Sequence, residues 1–321
     1  MPKIITMGEV LIDFTPIEVE GEKNVVQQNA GGSPANVAVQ ASKLGGDCGF
    51  IGKVGKDKFG MFLKEMFAEN NVNAKGLIID EKAATTLAFI GADEEGKRTY
   101  NFYRNPGADT LINYSEVDFN LIDNCEIFHF GSLSLTDEPS RSAVTRAVEY
   151  AKSKGKIISY DPNYRESLWT SEESAIDAMK SVLQYVDILK LSEDEMRMLT
   201  DSEKLIQGIA VLIKMGVKVV IVTQGPRGCI VAGKGGIEVL PTYDVNVIDT
   251  LGAGDSFFGA FLYKLSESEK DFSDMTIRDY IKFADFANAC GALTSAKYGG
   301  IKSMPNYDEV IDCIANVKKL K

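Results

Sequence analysis

Apolar positions in this chain follow two rhythms that take turns. Largely apolar runs at 3–7, 48–54, 127–130, 157–161, 188–191 and 219–223 read as strands, with 8–14 continuing the first. A strand with one wet face alternates, so a run without regular alternation points to burial on both faces. Between these runs, apolar residues three and four apart predict helices over 31–44, 59–70, 140–153, 171–183, 203–215, 277–296 and 307–318. Strand–helix alternation builds a mostly parallel sheet with helices on both faces, an α/β fold. Two stretches break the rhythm. Residues 15–28 are polar and irregular, and 73–104 carry short strand-like pieces at 77–79, 85–91 and 98–103 with turn residues such as Asp93-Glu94-Glu95-Gly96 between them. That is a meander. The expected organisation is a core of residues 1–10, 31–72 and 110–321, with 11–30 and 73–109 forming a small inserted β-sheet that could act as a lid. Residues 229–232 and 237–240 suggest a hairpin.

Composition narrows the chemistry. The chain has 321 residues, 45% hydrophobic and 25% charged, the balance of a soluble globular protein. A net charge of −11 argues against partners such as nucleic acid or an anionic membrane. It leaves room for a phosphate substrate held by a local loop. No apolar run approaches the ~20 residues of a membrane span, and the start lacks a signal-peptide pattern. The five cysteines, Cys48, Cys125, Cys229, Cys290 and Cys313, are scattered and odd in number, a reduced, cytoplasmic pattern in which each is expected to pack. His129 is the single histidine and sits in a strand run, so it is expected to be structural. Carboxylates are left as the acid–base groups.

The stretch from Asp249 to Ala260, Asp-Thr-Leu-Gly-Ala-Gly-Asp-Ser-Phe-Phe-Gly-Ala, holds the sharpest chemical signal. Phe257, Phe258, Phe261, Leu262 and Leu265 recur at helical spacing behind Asp255, so a glycine loop feeds a buried helix with Asp255 in its first turn. Free amides and the dipole at such an end attract an anion, and glycines let it come close. An acid there repels the anion, so it needs another task. It either caps the helix or takes a proton from a hydroxyl that attacks phosphorus.

Other polar residues follow successive strands, where ligands bind in open parallel sheets. They are Asp13, the turn Gly31-Gly32-Ser33-Pro34 with Asn36, Asp161 with Asn163 and Arg165, Lys190 with Ser192 and Glu195, and Thr223 with Gly225 and Gly228. Each alone reads equally as a turn, a cap or a solvated charge. Together they suggest one extended crevice.

Gly31-Gly32-Ser33-Pro34-Ala35-Asn36-Val37-Ala38, with Gly45 and Gly55 beyond, resembles the N-terminal signature of the PfkB, or ribokinase-like, carbohydrate kinases. The stretch at 249–260 resembles their C-terminal signature, and the likeness spans the chain. Phe102 to Asp109, Phe128 to Ser134 and Asp161 to Arg165 resemble the bacterial fructokinases of that family.

The resemblance implies a Rossmann-like core, a β-sheet lid and ATP-dependent phosphorylation of a sugar, fructose 6-phosphate being the expected product. It implies Asp255 as catalytic base, and Gly252, Ala253 and Gly254 as the backbone anion hole. Sugar contacts are expected at Asp13, Gly31, Gly32, Asn36, Tyr103, Arg104 and Arg165. Nucleotide contacts are expected at Asn163, Lys190, Ser192, Thr223, Gly225, Gly228 and Asn288. Glu195 matches an acid that helps organise Mg²⁺, although Ser192 stands where that motif usually has Asn. Asp249, Leu251, Gly300 and Ser303 align with a monovalent-cation site, which would make K⁺ a further cofactor. A homodimer through the lid is a further expectation. The rival readings are a 2-keto-3-deoxygluconate kinase, whose substrate carboxylate would suit Arg104 and Arg165, an NAD-dependent oxidoreductase, and a sugar sensor without activity. No Gly-x-Gly-x-x-Gly follows the first strand, which counts against the oxidoreductase.

Overall fold

Ile4 packs on one side of the central sheet and Ile5 on the other, and the same alternation of sides repeats at Ile188 and Leu189 and at Val219 and Val220. This is the reason the strand runs are largely apolar: both faces are dry. The computed structural model describes residues 2–17, 25–92 and 98–320. Its strands are β1 (Ile4–Met7), β2 (Leu11–Pro16), β3 (Val26–Gly31), β4 (Cys48–Gly55), β5 (Asn73–Asp80), β6 (Leu87–Ala92), β7 (Arg98–Tyr103), β8 (Ile127–Gly131), β9 (Ile157–Asp161), β10 (Ile188–Ser192), β11 (Val219–Thr223), β12 (Cys229–Gly233) and β13 (Gly236–Leu240). The helices are α1 (Ser33–Lys43), α2 (Lys58–Glu69), α3 (Phe119–Asp123), α4 (Ser140–Ser153), α5 (Glu172–Ser181), α6 (Glu193–Thr200), α7 (Leu205–Lys214), α8 (Ala253–Ser266), α9 (Ile277–Ser295) and α10 (Tyr307–Asn316).

Nine strands form the main sheet in the order β13-β12-β11-β10-β9-β8-β1-β4-β5. They are parallel except where β12 runs against β11 and β13. Helices α1, α2, α8, α9 and α10 contribute to the core on one face, and α4, α5, α6 and α7 to the core on the other. A second sheet has four strands in the order β3-β2-β6-β7.

Three sequence expectations are corrected here. Residues 8–14 do not continue β1: the chain leaves the main sheet after Met7, and β2 pairs with β3 and β6 in the second sheet. The polar stretch 15–28 ends in strand β3, whose order comes from backbone pairing with β2 rather than from its own side chains. Residues 73–80 belong to the main sheet, not to the inserted one, because β5 pairs with β4 in parallel register. The second sheet is thus built from β2 and β3 with β6 and β7. Glu193, Asp194 and Glu195 open the short helix α6, and Asp201, in left-handed conformation at φ 52°, ends it and separates it from α7. The turn expected at Asp93 to Gly96 lies outside the described residues.

All five cysteines are free and buried. His129 is fully buried, with Nδ1 3.0 Å from Ser159 Oγ and its ring edge-on to Phe258. Burial and the nearby Lys190 push it down to about 3, so it is a neutral core residue. Among the described residues no helix is long and apolar enough to cross a membrane.

Candidate active site

Helix α8 begins where Gly252 adopts a left-handed conformation at φ 76°, which a residue with a Cβ adopts only with strain. That turn places Ala253, Gly254 and Asp255 in the first helical turn. The buried side of α8 meets α1 closely, since a Cβ on Gly259 would lie 2.6 Å from Val37 O. This approach lets α1 reach the acid. Ser33 Oγ donates to Asp255 Oδ1 at 2.7 Å, and Asn36 Nδ2 donates to Oδ2 at 2.8 Å. Both carboxylate oxygens are held, and each keeps a lone pair for a ligand. Ser33 gave no separate signal in the sequence beyond its place in the glycine turn.

Two cavities meet at this helix end. The first encloses about 140 Å³ and is polar, lined by Glu9, Asp13, Gly32, Asn36, Asn163, Arg165, Lys190 and Asp255, with Tyr100 and Phe102 of β7 closing it from the second sheet. The second encloses about 420 Å³ and is largely apolar, lined by Thr223, Gly225, Gly228, Tyr243, Val245, Phe257, Asn288 and Ala292 among others. Thr250 and Gly254 belong to the walls of both.

The expected sugar residues divide. Asp13, Gly32, Asn36 and Arg165 line the polar cavity. Gly31 acts through its missing side chain: a Cβ there would lie 2.0 Å from Asp13 Oδ2. Tyr103 and Arg104 are corrections. Side chains alternate along β7, so Tyr100 and Phe102 face the cavity while Tyr103 is 67% exposed on the opposite face. Arg104 is buried elsewhere, with Nη2 2.7 Å and Nε 2.8 Å from Asp109 Oδ2, and with Thr136 Oγ1 and Leu133 O accepting its remaining donors.

The expected nucleotide residues divide too. Thr223, Gly225, Gly228 and Asn288 line the apolar cavity. Asn163 and Lys190 line the polar one instead, and Lys190 Nζ lies 3.2 Å from where a Gly254 Cβ would be, at the junction of the two. Ser192 lines neither. It caps α6, its hydroxyl and amide both donating to Glu195 Oε2 at 2.9 and 2.7 Å. Glu195 Oε1 accepts from Tyr164 N–H at 2.7 Å, so this acid braces the loop that carries Asn163 and Arg165. Asp249, Leu251, Gly300 and Ser303 are brought together: Gly300 packs on Leu251, Ser303 Oγ donates to Gly300 O at 2.7 Å, and Gly299 N–H approaches Asp249 Oδ2 at 3.5 Å. The Asp249 carboxylate, however, already faces Arg98.

Charge is crowded here. Burial pushes Asp13 up to about 7, with Arg165 opposing and Asp255 adding to the rise. Burial likewise lifts Asp161 to about 6 although Lys190 Nζ stands 2.5 Å from its Oδ2. Burial disfavours the charge on Lys190, yet Asp161, Asp255 and Glu195 together hold it above its ordinary value. Among the described residues, no group of three or more His, Cys, Asp or Glu side chains is gathered to hold a metal.

A buried carboxylate at a glycine helix end, beside two unlike cavities that share a wall, is an arrangement suited to group transfer. A model of the pfkB family of carbohydrate kinases matches residues 1–307. The chain belongs to that family. Among pfkB relatives, fructokinase-1 of Oryza sativa subsp. japonica is 40% identical over 314 residues, 96% of each chain. Fructokinase from Xylella fastidiosa, solved with bound ATP, superposes with a TM-score of 0.90 at 31% identity, over 98% of this chain and 99% of that one. Fructokinase from Vibrio cholerae O395, solved with fructose, ADP and calcium ion, gives a TM-score of 0.88 at 28% identity, again over 98% and 99%. The nine-stranded, mostly parallel sheet with its small second sheet is the ribokinase-like fold of these pfkB structures.

Proposed function

We propose that this pfkB kinase transfers the γ-phosphoryl group of ATP to the 6-hydroxyl of fructose, giving fructose 6-phosphate and ADP. The carrying observation is the shared wall at Thr250 and Gly254, which lets a ligand in each cavity meet beside Asp255. The polar cavity suits a sugar, with Asp13 and Asn36 offering partners to hydroxyls. The apolar cavity suits the flat base of a nucleotide. Asp255 takes the hydroxyl proton as the sugar oxygen bonds to phosphorus and the bond to the ADP oxygen breaks. The Gly252 and Gly254 amides and the Lys190 ammonium would face the phosphoryl oxygens, while the Ala253 amide donates to Thr250 O at 3.2 Å.

Mg²⁺ carried by the triphosphate would neutralise charge on the phosphates. The donor set fits an ion that keeps phosphate and water ligands: the buried Asp161 has an oxygen, Oδ1, without a partner, while Glu195 is spent on its loop. A monovalent cation at 249–251 and 300–303 would bind through main-chain oxygens. One of these, Gly300 O, already accepts from Ser303.

The core of residues 1–10, 31–72 and 110–321, joined by β5, would hold both ligands, with the sheet of β2, β3, β6 and β7 as lid. Val26, Phe89 and Tyr103 leave apolar surface exposed on that sheet, which supports a homodimer through it. Five reduced, buried thiols support a cytoplasmic location, and the net charge of −11 opposes nucleic-acid partners. Transfer to 2-keto-3-deoxygluconate is less well served, because Arg104 is committed to Asp109 and leaves Arg165 as the cleft guanidinium. Measuring ADP release with fructose, ribose, 2-keto-3-deoxygluconate and nucleosides tests the reading. Fructose should lead in kcat/KM by about tenfold or more; preference for any other acceptor overturns it.

A further inference from the structure

Helix α1 is capped from a distance. Gly32 precedes it without a side chain, no capping hydrogen bond is made locally, and its first turn holds no acid. Leading amides of a buried helix need acceptors. Glu9, in the turn after β1, provides one: its Oε1 accepts from Ser33 N–H at 2.8 Å. The main chain presses in the same place, since a Cβ on Gly32 would lie 2.5 Å from Glu9 O. Any shift of Glu9 therefore passes to the start of α1. From that turn come both hydrogen bonds to the acid of α8, one from Ser33 and one from Asn36.

We propose that Glu9 is a positioning residue for Asp255, acting through Ser33 by pinning the first turn of α1. The inference rests on Asp255 being the base. Packing alone does not account for Glu9. It is 1% exposed, its Oε2 has no partner, and burial pushes it up to about 8. A buried carboxyl with one oxygen unpaired costs stability, and an apolar side chain would fill the space without that cost. What an apolar side chain cannot do is hold the Ser33 amide. Small displacements of a catalytic group carry large rate penalties, so a fixed first turn matters to turnover more than to binding.

The test is steady-state kinetics on the full chain with MgATP and the sugar preferred in the acceptor panel. Glu9→Ala should lower kcat by about 10- to 100-fold and leave both KM values within about threefold. Glu9→Gln, which still offers an oxygen to Ser33 N–H, should recover most of the kcat lost in Glu9→Ala. Glu9→Asp keeps the carboxyl but shortens the reach, so it should behave like alanine; it also carries the test if Glu9→Ala does not fold. Ser33→Ala should lower kcat as well, and adding Glu9→Asp to it should cost less than about threefold more, since both break one chain of contacts. Thermal melting should move little in Glu9→Asp. Parental kcat in Glu9→Asp, equal damage in Glu9→Gln and Glu9→Ala, or fully multiplicative losses in the double variant would each overturn the proposal. Asp255→Asn serves as the control: parental turnover there removes the base assignment itself, whereas an inactive Asp255→Asn beside a fully active Glu9→Asp removes only the role of Glu9.

Discussion

Arg98 reaches out of the small sheet and sets Nη2 2.6 Å from Oδ1 of Asp249, in the loop that leads into α8. The same oxygen accepts from Leu251 N–H at 3.0 Å, so the small sheet and the loop into α8 share one acceptor. Two further contacts tie the small sheet to the core: the Arg165 guanidinium lies 4.4 Å from the centre of the Tyr100 ring, and Ser167 Oγ donates to Tyr100 O at 3.0 Å. Arg98→Ala should loosen closure. The sugar KM should rise by about 3- to 10-fold, and more ATP should be hydrolysed per sugar phosphorylated. The pair is partly buried, 30% and 11% exposed at its side chains, and Leu251 N–H still holds the carboxylate, so melting should fall only modestly. Unchanged KM and unchanged coupling would reduce the contact to an ordinary surface pair.

Asp255→Asn preserves the shape around Ser33 and Asn36 and removes the proton acceptor. Turnover should fall by about 10²-fold or more, with ligand affinities changing far less. Calorimetric titration with nucleotide and sugar, beside initial rates, separates the two effects. A variant that binds normally and still turns over would end the assignment.

Gly31 is required by its neighbour rather than by its own backbone. In Gly31→Ala the new methyl would occupy the place of Asp13 Oδ2, 2.0 Å away, and push that carboxylate aside. The sugar KM should rise by about tenfold or more while the ATP KM stays within about threefold. Equal losses for both substrates would mean that the damage has spread beyond Asp13.

Asp13 provides a pH signature. Its carboxyl is held at about 7 in the folded chain against an ordinary value of 3.8, so across that window the folded chain keeps a proton that the unfolded chain has released. The resulting stabilisation is complete below about pH 4 and is lost as pH rises through about 7. Melting temperature in Asp13→Asn should therefore fall less between those limits than in the parent. A parallel pair of curves would show that Asp13 ionises normally.

Lys190 and Asp161 form a buried pair, 8% and 1% exposed at their side chains. Lys190→Met leaves Asp161 alone in the interior, which should cost about 3–5 kcal/mol in urea unfolding. Adding Asp161→Asn should recover part of that loss. Failure to recover any would assign the cost to the missing lysine stem instead.

Local signals were legible in the sequence and distant ones were not. The bend from Gly252 to Asp255 and the helix starting at Ser33 lie in contiguous segments whose glycines and apolar spacing announce them. Glu9 and Ser33 gave no comparable signal, because what they do depends on a helix end meeting a turn from another part of the chain. Sheet membership of Asn73–Asp80 depended on which strand lay beside it, and a strand's own residues do not state its neighbour. Tyr103 and Tyr100 lie on one short strand and differ only in which face they present; with the strand's facing unknown, either could have been taken for the inward one.

One wall of the polar cavity comes from Tyr100 and Phe102, and no residue of their strand lines the apolar cavity. The enzyme's choice of acceptor can therefore drift through changes on that strand while the donor end stays as it is. Descendants of such a chain could take up new alcohols without relearning how to handle ATP.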